Sequence, residues 1–330
     1  MFVVRKGVRN SKIRYKCTKC NSWFTVNKSK KITGEKLLKQ HVDGTPYRKL
    51  ADQYDSSPTT VYRKNLKASK ALPHCANITR EHCVRYTGIL QVDGKYISVR
   101  PYERKIPVLY GIDYATHDTP TYKLIPSENY QACLAYFTAL RLLNYPLKAL
   151  ICDDNENIRD ACKAVYPKVI IQLCQVHFMR NIGKVLSIKT DPTYRPFMAR
   201  IGELFADRVV EEVFNGMAQK ILLEYINDAK CVAIMQEIGR KRPLLLAYLR
   251  APGIPRTNNL IECFNSHLNG RLKTIKGFKS FKHADLWLNA YFVRRRYKPY
   301  TDCGEHFKKL NGKKSIDIVA KDKTKLPKIF

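Results

Sequence analysis

Residues 147–181 read LKALICDDNENIRDACKAVYPKVIIQLCQVHFMRN. The apolar run at 147–152 has the length of a strand. Two acids, Asp153 and Asp154, follow it at once. Residues 155–165 then carry helical spacing, which Pro167 stops, and residues 169–173 form a short apolar run typical of a buried strand. Upstream, 89–92 and 95–99 are β-rich, as are 106–114 and 121–125, while 128–143 is long and apolar enough for a helix. The order β-β-β-α-β-α-β predicts an α/β fold, a mixed sheet with helices packed on it. Residues 175–250 carry few strand signals and read as helical.

The charge of the whole chain narrows the partner. Lys and Arg number 60 against 28 Asp and Glu, a net charge of +32. That imbalance implies a polyanion, with nucleic acid the default. It is unevenly spread: residues 1–72 carry net +14, 73–263 only +6, and 264–330 net +12. The acids are concentrated in the middle, where chemistry would need them, and the ends read as grips for a polyanion. A hydrophobic content of 45% excludes wholesale disorder. No apolar run approaches the roughly 18 residues of a membrane helix, so no membrane partner is expected. The first ten residues lack the apolar core of a secretory signal. Eleven scattered cysteines, an odd number, point to reduced thiols and an intracellular protein.

Three acids in the middle fall at telling places. Asp93 lies between two β runs, Asp153 follows a strand, and Glu262 opens a helix of about 258–273. Carboxyl ends of strands are where α/β folds build sites. Each acid also has a plainer reading. Asp93-Gly94 is a two-residue hairpin signature, Asp153 suits a helix N-cap, and Glu262 suits a helix N-terminus. Cys174 and His177, three apart, share a helical face, yet two ligands do not make a zinc site. A packed thiol and a hydrogen-bonded His, structural or close to DNA, is the plain alternative. Arg180 and Asn181 follow at phosphate-reaching positions.

The N-terminal 72 residues read as two pieces. Residues 1–31 hold ten Lys or Arg and no acid. Within them Cys17 and Cys20 form a C-x2-C turn, half of a zinc-ribbon-like Zn²⁺ site, with packed thiols as the alternative. Residues 32–72 have helix-turn-helix spacing: helices at 35–41 and 46–54, the second capped by Thr45 with Pro46 at its first position, and a third from Pro58, capped by Ser57. Thr59, Thr60, Tyr62, Arg63, Lys64 and Lys67 make that third helix polar and basic, as a major-groove reader requires. A generic three-helix unit has the same spacing. At the far end, residues 301–330 read as a loose basic tail with salt-sensitive affinity for DNA.

The stretch 150–181 resembles Mutator-type transposases, the eukaryotic Mutator-like elements and their bacterial insertion-sequence relatives. In that family an Asp ends a strand, a helix runs to an aromatic-Pro pair (here Tyr166-Pro167), and Q-x-C-x-x-H-x-x-R-N follows (here Gln172 to Asn181). The segment 256–266, with Glu262 and Asn265, is similar to the family's last acidic motif, and Gln91-Val92-Asp93-Gly94 resembles its first. The likeness spans roughly residues 86–300. It implies a ribonuclease-H-like catalytic domain there, with a helical insertion at about 175–250 and a DDE site of Asp93, Asp153 and Glu262. Counting back from Pro167 selects Asp153 over Asp154.

The resemblance also implies a chemistry. Three converging carboxylates suit Mg²⁺ or Mn²⁺, two ions about 4 Å apart promoting in-line displacement at phosphorus. Water would cut a phosphodiester at a transposon end, and the freed 3′-OH would attack target DNA. The partner is then double-stranded DNA, bound by a homodimer or larger assembly that brings two ends together. The location is the cytoplasm or nucleoid of a prokaryote, or the nucleus of a eukaryote. A transposase-derived DNA-binding regulator without catalysis, and a nuclease of the same fold, are the competing readings.

Overall fold

The computed structural model describes residues 2–9, 12–25, 32–206 and 209–330, so Lys28, Lys30 and Lys31 of the basic N-terminal piece lie outside the described residues. The chain divides into two compact units, Met1–Ala71 and Leu72–Phe330.

The first unit opens with three short antiparallel strands, β1 (Val3–Arg9), β2 (Lys12–Cys17) and β3 (Trp23–Thr25), in the order β1-β2-β3. β1 and β3 are exposed along their length. Arg14 lies 4.5 Å over the Trp23 ring, a cation–π contact that covers part of this surface. Three helices follow, α1 (Gly34–Val42), α2 (Tyr47–Gln53) and α3 (Pro58–Ala71). Thr33 caps α1 by accepting from the Lys36 N–H, and Ser57 accepts from the Thr60 N–H at the start of α3. Thr45 does not cap α2. The cap position falls one residue later, on Pro46, with no side-chain bond. Leu37, Leu50, Ala51, Tyr54 and Val61 form the core of the three helices. Gly34 is required where α1 meets α3, because a Cβ there would sit 2.8 Å from the Lys64 carbonyl oxygen.

The second unit starts with α4 (Cys75–His82) and contains a five-stranded sheet. Its strands are β4 (Ile89–Ile97), β5 (Ile106–Asp113), β6 (Tyr122–Leu124), β7 (Ala149–Cys152) and β8 (Ile170–Leu173). Helix α5 (Tyr130–Leu142) connects β6 to β7, and α6 (Glu156–Val165) connects β7 to β8. The spatial order is β6-β5-β4-β7-β8. β4 to β6 are antiparallel, and β4-β7 and β7-β8 are parallel, so the sheet is mixed as the element order predicts. Strand alternation sorts the faces. Leu90, Val92, Leu150 and Cys152 point into a core shared with Cys133, Tyr136, Phe137 and Leu140 of α5 and Ile158, Ala161 and Cys162 of α6. Ala149 and Ile151 face the other way, against Ile254.

One sequence expectation fails here. Asp93 and Gly94 are not a hairpin turn but the middle of β4, whose pairing with β5 runs unbroken from Leu90↔Asp113 to Ile97↔Ile106. The turn comes after Ile97. The two β runs flanking Asp93 are one strand.

After β8 the chain is helical: α7 (Gln175–Val185), α8 (Arg195–Leu204), α9 (Glu211–Glu224) and α10 (Ala229–Leu245). They close a second core around Phe178, Phe197, Phe205, Phe214 and Ile238. Helix α11 (Asn259–Leu272) returns to the sheet and α12 (Phe281–Tyr297) is buried along most of its length. The stretch after residue 300 is not a loose tail. A 3-10 turn (Glu305–Leu310) and α13 (Ser315–Val319) pack down, burying Leu310, Ile316 and Val319. What fastens it is a buried ion pair. Arg296 donates to both carboxylate oxygens of Asp118, at 3.0 and 2.8 Å, and Ser315 adds a third hydrogen bond at 2.6 Å. The guanidinium also reaches Thr79 Oγ1 and the Cys75 carbonyl of α4, which satisfies a charge that would otherwise be costly to bury. Among the described residues no helix is long and apolar enough to cross a membrane.

Candidate active site

Strand pairing brings two of the three acids together. In the parallel β4–β7 ladder Ile89 lies beside Ala149 and Gln91 beside Ile151, an offset of 60 residues. The same offset separates Asp93 from Asp153, so continuing the register sets them level, Asp93 in the middle of β4 and Asp153 just past the end of β7. Both lie on the face opposite the α5–α6 core, because Asp93 is two residues from Gln91 and Asp153 two from Ile151.

Glu262 reaches the same place from α11, and Gln91 is the reason. This buried residue of β4 accepts from the Ile261 N–H at 3.1 Å and donates to the Thr257 carbonyl at 3.1 Å. It holds the turn into α11 from both sides. Asn265, one turn beyond Glu262, donates to Asp93 Oδ2 at 2.5 Å, and its own oxygen accepts from the Tyr110 hydroxyl at 2.8 Å. The Gly94 N–H donates to the other oxygen of Asp93 at 2.8 Å.

His177 joins the remaining two acids. From the first turn of α7 its Nδ1 lies 2.7 Å from Asp153 Oδ1 and its Nε2 lies 3.2 Å from Glu262 Oε1. Hydrogen bonds to Asp153 and Cys174 raise its pKa to about 10 against the opposing effect of burial. The imidazole thus sits between two carboxylates. Asn258 completes the group: it donates to Asp153 Oδ1 at 2.8 Å, and its oxygen lies 3.1 Å from His177 Nδ1. Asn258 occupies the cap position of α11 yet makes no capping bond, since its side chain is engaged here.

The electrostatics record the crowding. Burial first, then the charges of Asp153 and Glu262, push Asp93 up to about 6, although the Gly94 N–H and Asn265 oppose the shift. The donor set is hard oxygen, which suits Mg²⁺ or Mn²⁺. Asp153, Cys174 and His177 also bring one oxygen, one sulfur and one nitrogen within 4.8 Å of each other, the one such group of three among the described residues. The Cys174 sulfur there accepts the Asn258 N–H at 3.5 Å.

The neighbouring acid behaves differently. Asp154 forms ion pairs with Arg159 and with Lys241 of α10. These cations hold its pKa below the ordinary value although burial raises it. Asp153 does not cap α6 either: that position belongs to Asn155, which accepts from the Ile158 N–H.

The other residues singled out in the sequence lie elsewhere. Arg180 and Asn181 are exposed on α7, about one turn past His177. Thr59, Thr60, Arg63, Lys64 and Lys67 are exposed on α3, whereas Tyr62 is half-buried and packs edge-on against Tyr47. Cys17 and Cys20 belong to no group of three or more ligating side chains among the described residues. His41 instead stacks on Tyr47, His74 caps α4, and Cys75 and Cys83 contact Arg296. Two thiols do not fit a tetrahedral zinc ion.

Gln91 and Asn258 fall inside the segments 91–94 and 256–266, but nothing in their residue types marks them as the acids are marked. Asn258 is nevertheless one helical turn before Glu262, a spacing that places both on one face.

Among curated proteins, none matches this chain. A family model described as "Transposase, Mutator family" matches residues 55–290, a span that holds all three acids and His177 and more than half of the chain. The chain therefore belongs to the Mutator family of transposases.

Proposed function

We propose that the chain is a metal-dependent DNA transposase that hydrolyses a phosphodiester at each transposon end and joins the freed 3′-OH to target DNA. The observation that carries this reading is the convergence of Asp93, Asp153 and Glu262, drawn from two strands and a helix, on one cleft. The sheet order, with its first strand central and its last two strands parallel to it, supports a ribonuclease-H-like catalytic domain over residues 86–300.

Asp93, Asp153 and Glu262 would hold divalent cations. When bound, those ions would activate the attacking oxygen and offset charge on the leaving one. The chain's own residues prepare the cleft. Gly94 and Asn265 aim Asp93, Asn258 and His177 aim Asp153, and Gln91 anchors the start of α11 that carries Glu262. His177 supplies positive charge between two acids and limits their repulsion before cations enter. Only the nucleophile differs between hydrolysis and joining, so one cleft serves both.

The three-helix piece at 32–72 supports a helix-turn-helix role, since α3 turns Val61, Asn65 and Ser69 inward and leaves basic residues outward. Asp154, bound to Arg159 and Lys241, is a structural neighbour and not a ligand.

The test is a strand-transfer assay with DNA from the element's flanks and Mg²⁺ or Mn²⁺. Joined products from the wild type that vanish in Asp153→Ala support the proposal. Binding without cutting or joining would favour the regulator reading, and cutting without joining the nuclease.

A further inference from the structure

The β4–β5 hairpin reaches past the acidic cleft. β7 pairs with β4 only at Ile89, Leu90 and Gln91, so from Asp93 to Ile97 β4 pairs with β5 alone. The hairpin therefore overhangs the end of β7, which Asp153 follows. Its tip is tied to the segment after α11. The Phe278 N–H donates to the Ser98 carbonyl at 2.9 Å, and the Arg100 N–H donates to the Phe278 carbonyl at 2.9 Å. Gly277 permits this approach: its φ is +112°, and a Cβ there would lie 3.3 Å from the Ser98 Cβ. Two segments distant in sequence thus form one ridge. Each continues an element that carries an acid of the cleft, β4 with Asp93 and α11 with Glu262.

The charge on this ridge is almost entirely of one sign. Residues 98–105 hold Arg100, Arg104 and Lys105 against Glu103, and residues 271–282 hold five cations and no acid. All of these cations except Arg271 are exposed. Among the described residues none of them forms an ion pair, whereas Arg200, Arg240, Lys241 and Arg242 of the helical insertion all do. Main-chain bonds hold like charges close together, so the ridge repels itself in the free protein and gains from a polyanion. Between the two segments lies a hollow of about 300 Å³, lined by Arg100, Lys276 and Lys279 with the Tyr102 ring. The distance from the cleft is the same by both routes. Ser98 is five residues beyond Asp93, about 17 Å of extended chain. Lys273 is eleven residues beyond Glu262, about 17 Å of helix. Duplex DNA covers that distance in about five base pairs.

We infer that this ridge grips the phosphate backbone of the duplex whose reacting bond lies in the cleft, about five base pairs from that bond. The inference rests on the transposase reading and adds to it the path of the DNA. The grip is independent of sequence, because long cationic side chains on connecting segments meet phosphate oxygens and bring no fixed donor pattern to base edges.

The experiment measures binding of the full chain to duplex DNA of unrelated sequence, without divalent metal, between about 50 and 200 mM salt. A ridge variant (Arg100→Ala, Lys276→Ala, Lys279→Ala) is compared with a control that removes equal charge from exposed positions elsewhere (Lys163→Ala, Lys168→Ala, Lys220→Ala). The slope of log affinity against log salt should become shallower by about 2–3 in the ridge variant and by under about one in the control. Equal changes in both, or none in the ridge variant, would mean that only total charge matters and would overturn the inference, leaving the transposase reading intact. If the triple ridge variant does not melt cooperatively, Lys276→Gln with Lys279→Gln takes its place, with a slope shallower by about two. Strand transfer then tests the path. A neutral methylphosphonate about five nucleotides from the reacting bond, placed in the transposon end or in the target duplex, should lower product from the wild type and leave that from the ridge variant unchanged. The duplex in which it acts is the one on the ridge, and no effect in either would refute the path. Wild type that neither cuts nor joins, with the difference in slope intact, would defeat the transposase reading and leave the grip standing.

Discussion

Asp93 and Asp153 are held in place by the sheet, whereas Glu262 is held by side chains. Asp93 sits in β4 and Asp153 directly after β7, and their relation follows from a backbone ladder between those strands whose offset equals their separation in sequence. Glu262 sits on a helix that reaches the sheet only after the whole helical insertion, and Gln91, Asn265 and His177 tie it there. A backbone ladder tolerates the loss of any one side chain. A set of side-chain ties does not. The strand-borne half of the cleft is thus robust and the helix-borne half is adjustable.

That contrast yields a graded series of tests. The largest effect is loss of chemistry in Asp93→Asn, Asp153→Asn or Glu262→Gln. Each should lower strand transfer by about 10³-fold or more, the equivalent of several kcal/mol, while DNA retention in a mobility-shift assay persists. Gln91→Leu comes next. It touches no reacting atom, but frees the start of α11, so strand transfer should fall about 100-fold with a loss of about 1–3 kcal/mol in denaturant unfolding. Activity equal to wild type in that variant would refute the idea that Gln91 places Glu262.

The pH series follows. The folded pKa of Asp93, about 6, is above its ordinary 3.8. In metal-free protein its favourable contribution is therefore complete below pH 3.8 and is lost as pH rises through about 6. The loss amounts to at most about 3 kcal/mol. Thermal melts should show this decline, Asp93→Asn should flatten it, and Mg²⁺ should offset it in the wild type. His177 continues the trend at higher pH: its contribution is complete below 6.5 and disappears as pH passes about 10.

Asp154→Asn is expected to cost only about 1–2 kcal/mol of stability and to leave cutting and joining near wild type, in contrast with its neighbour. The smallest effect belongs to α3, where Arg63→Ala or Lys64→Ala should each lower the salt dependence of DNA binding by about one unit of slope.

How much of this was legible beforehand depends on the range of the interaction. Strands and helices of the sheet follow from local periodicity, and Asp153 stood out by its place after a strand, while the resemblance to Mutator-type transposases singled out Asp93 and Glu262. The hairpin reading of Asp93-Gly94 failed because a two-residue signature is also compatible with a strand whose glycine leaves room for another side chain, here the Glu128 carboxylate. The reading of residues 301–330 as a tail failed because charge was counted without Leu310, Ile316 and Val319, whose burial depends on Asp118 and Arg296 far away in sequence. Gln91 and Asn258 lie inside the quoted segments, yet their roles were not legible for the same reason. A polar residue acquires its role from partners far off in sequence, as Gln91 does from Ile261, 170 positions away.

The Arg296–Asp118–Ser315 cluster has a consequence for the order in which the protein is made. It joins α4 to α12 and α13, and Lys321 adds a backbone bond to His82. The second unit cannot close until residues near 321 have emerged from the ribosome. The three helices of the first unit depend only on contacts within 34–71 and can form long before. During synthesis the proposed DNA-binding piece would therefore be complete while the cleft is still open, and on that reading a nascent chain could find DNA before it is able to cut it.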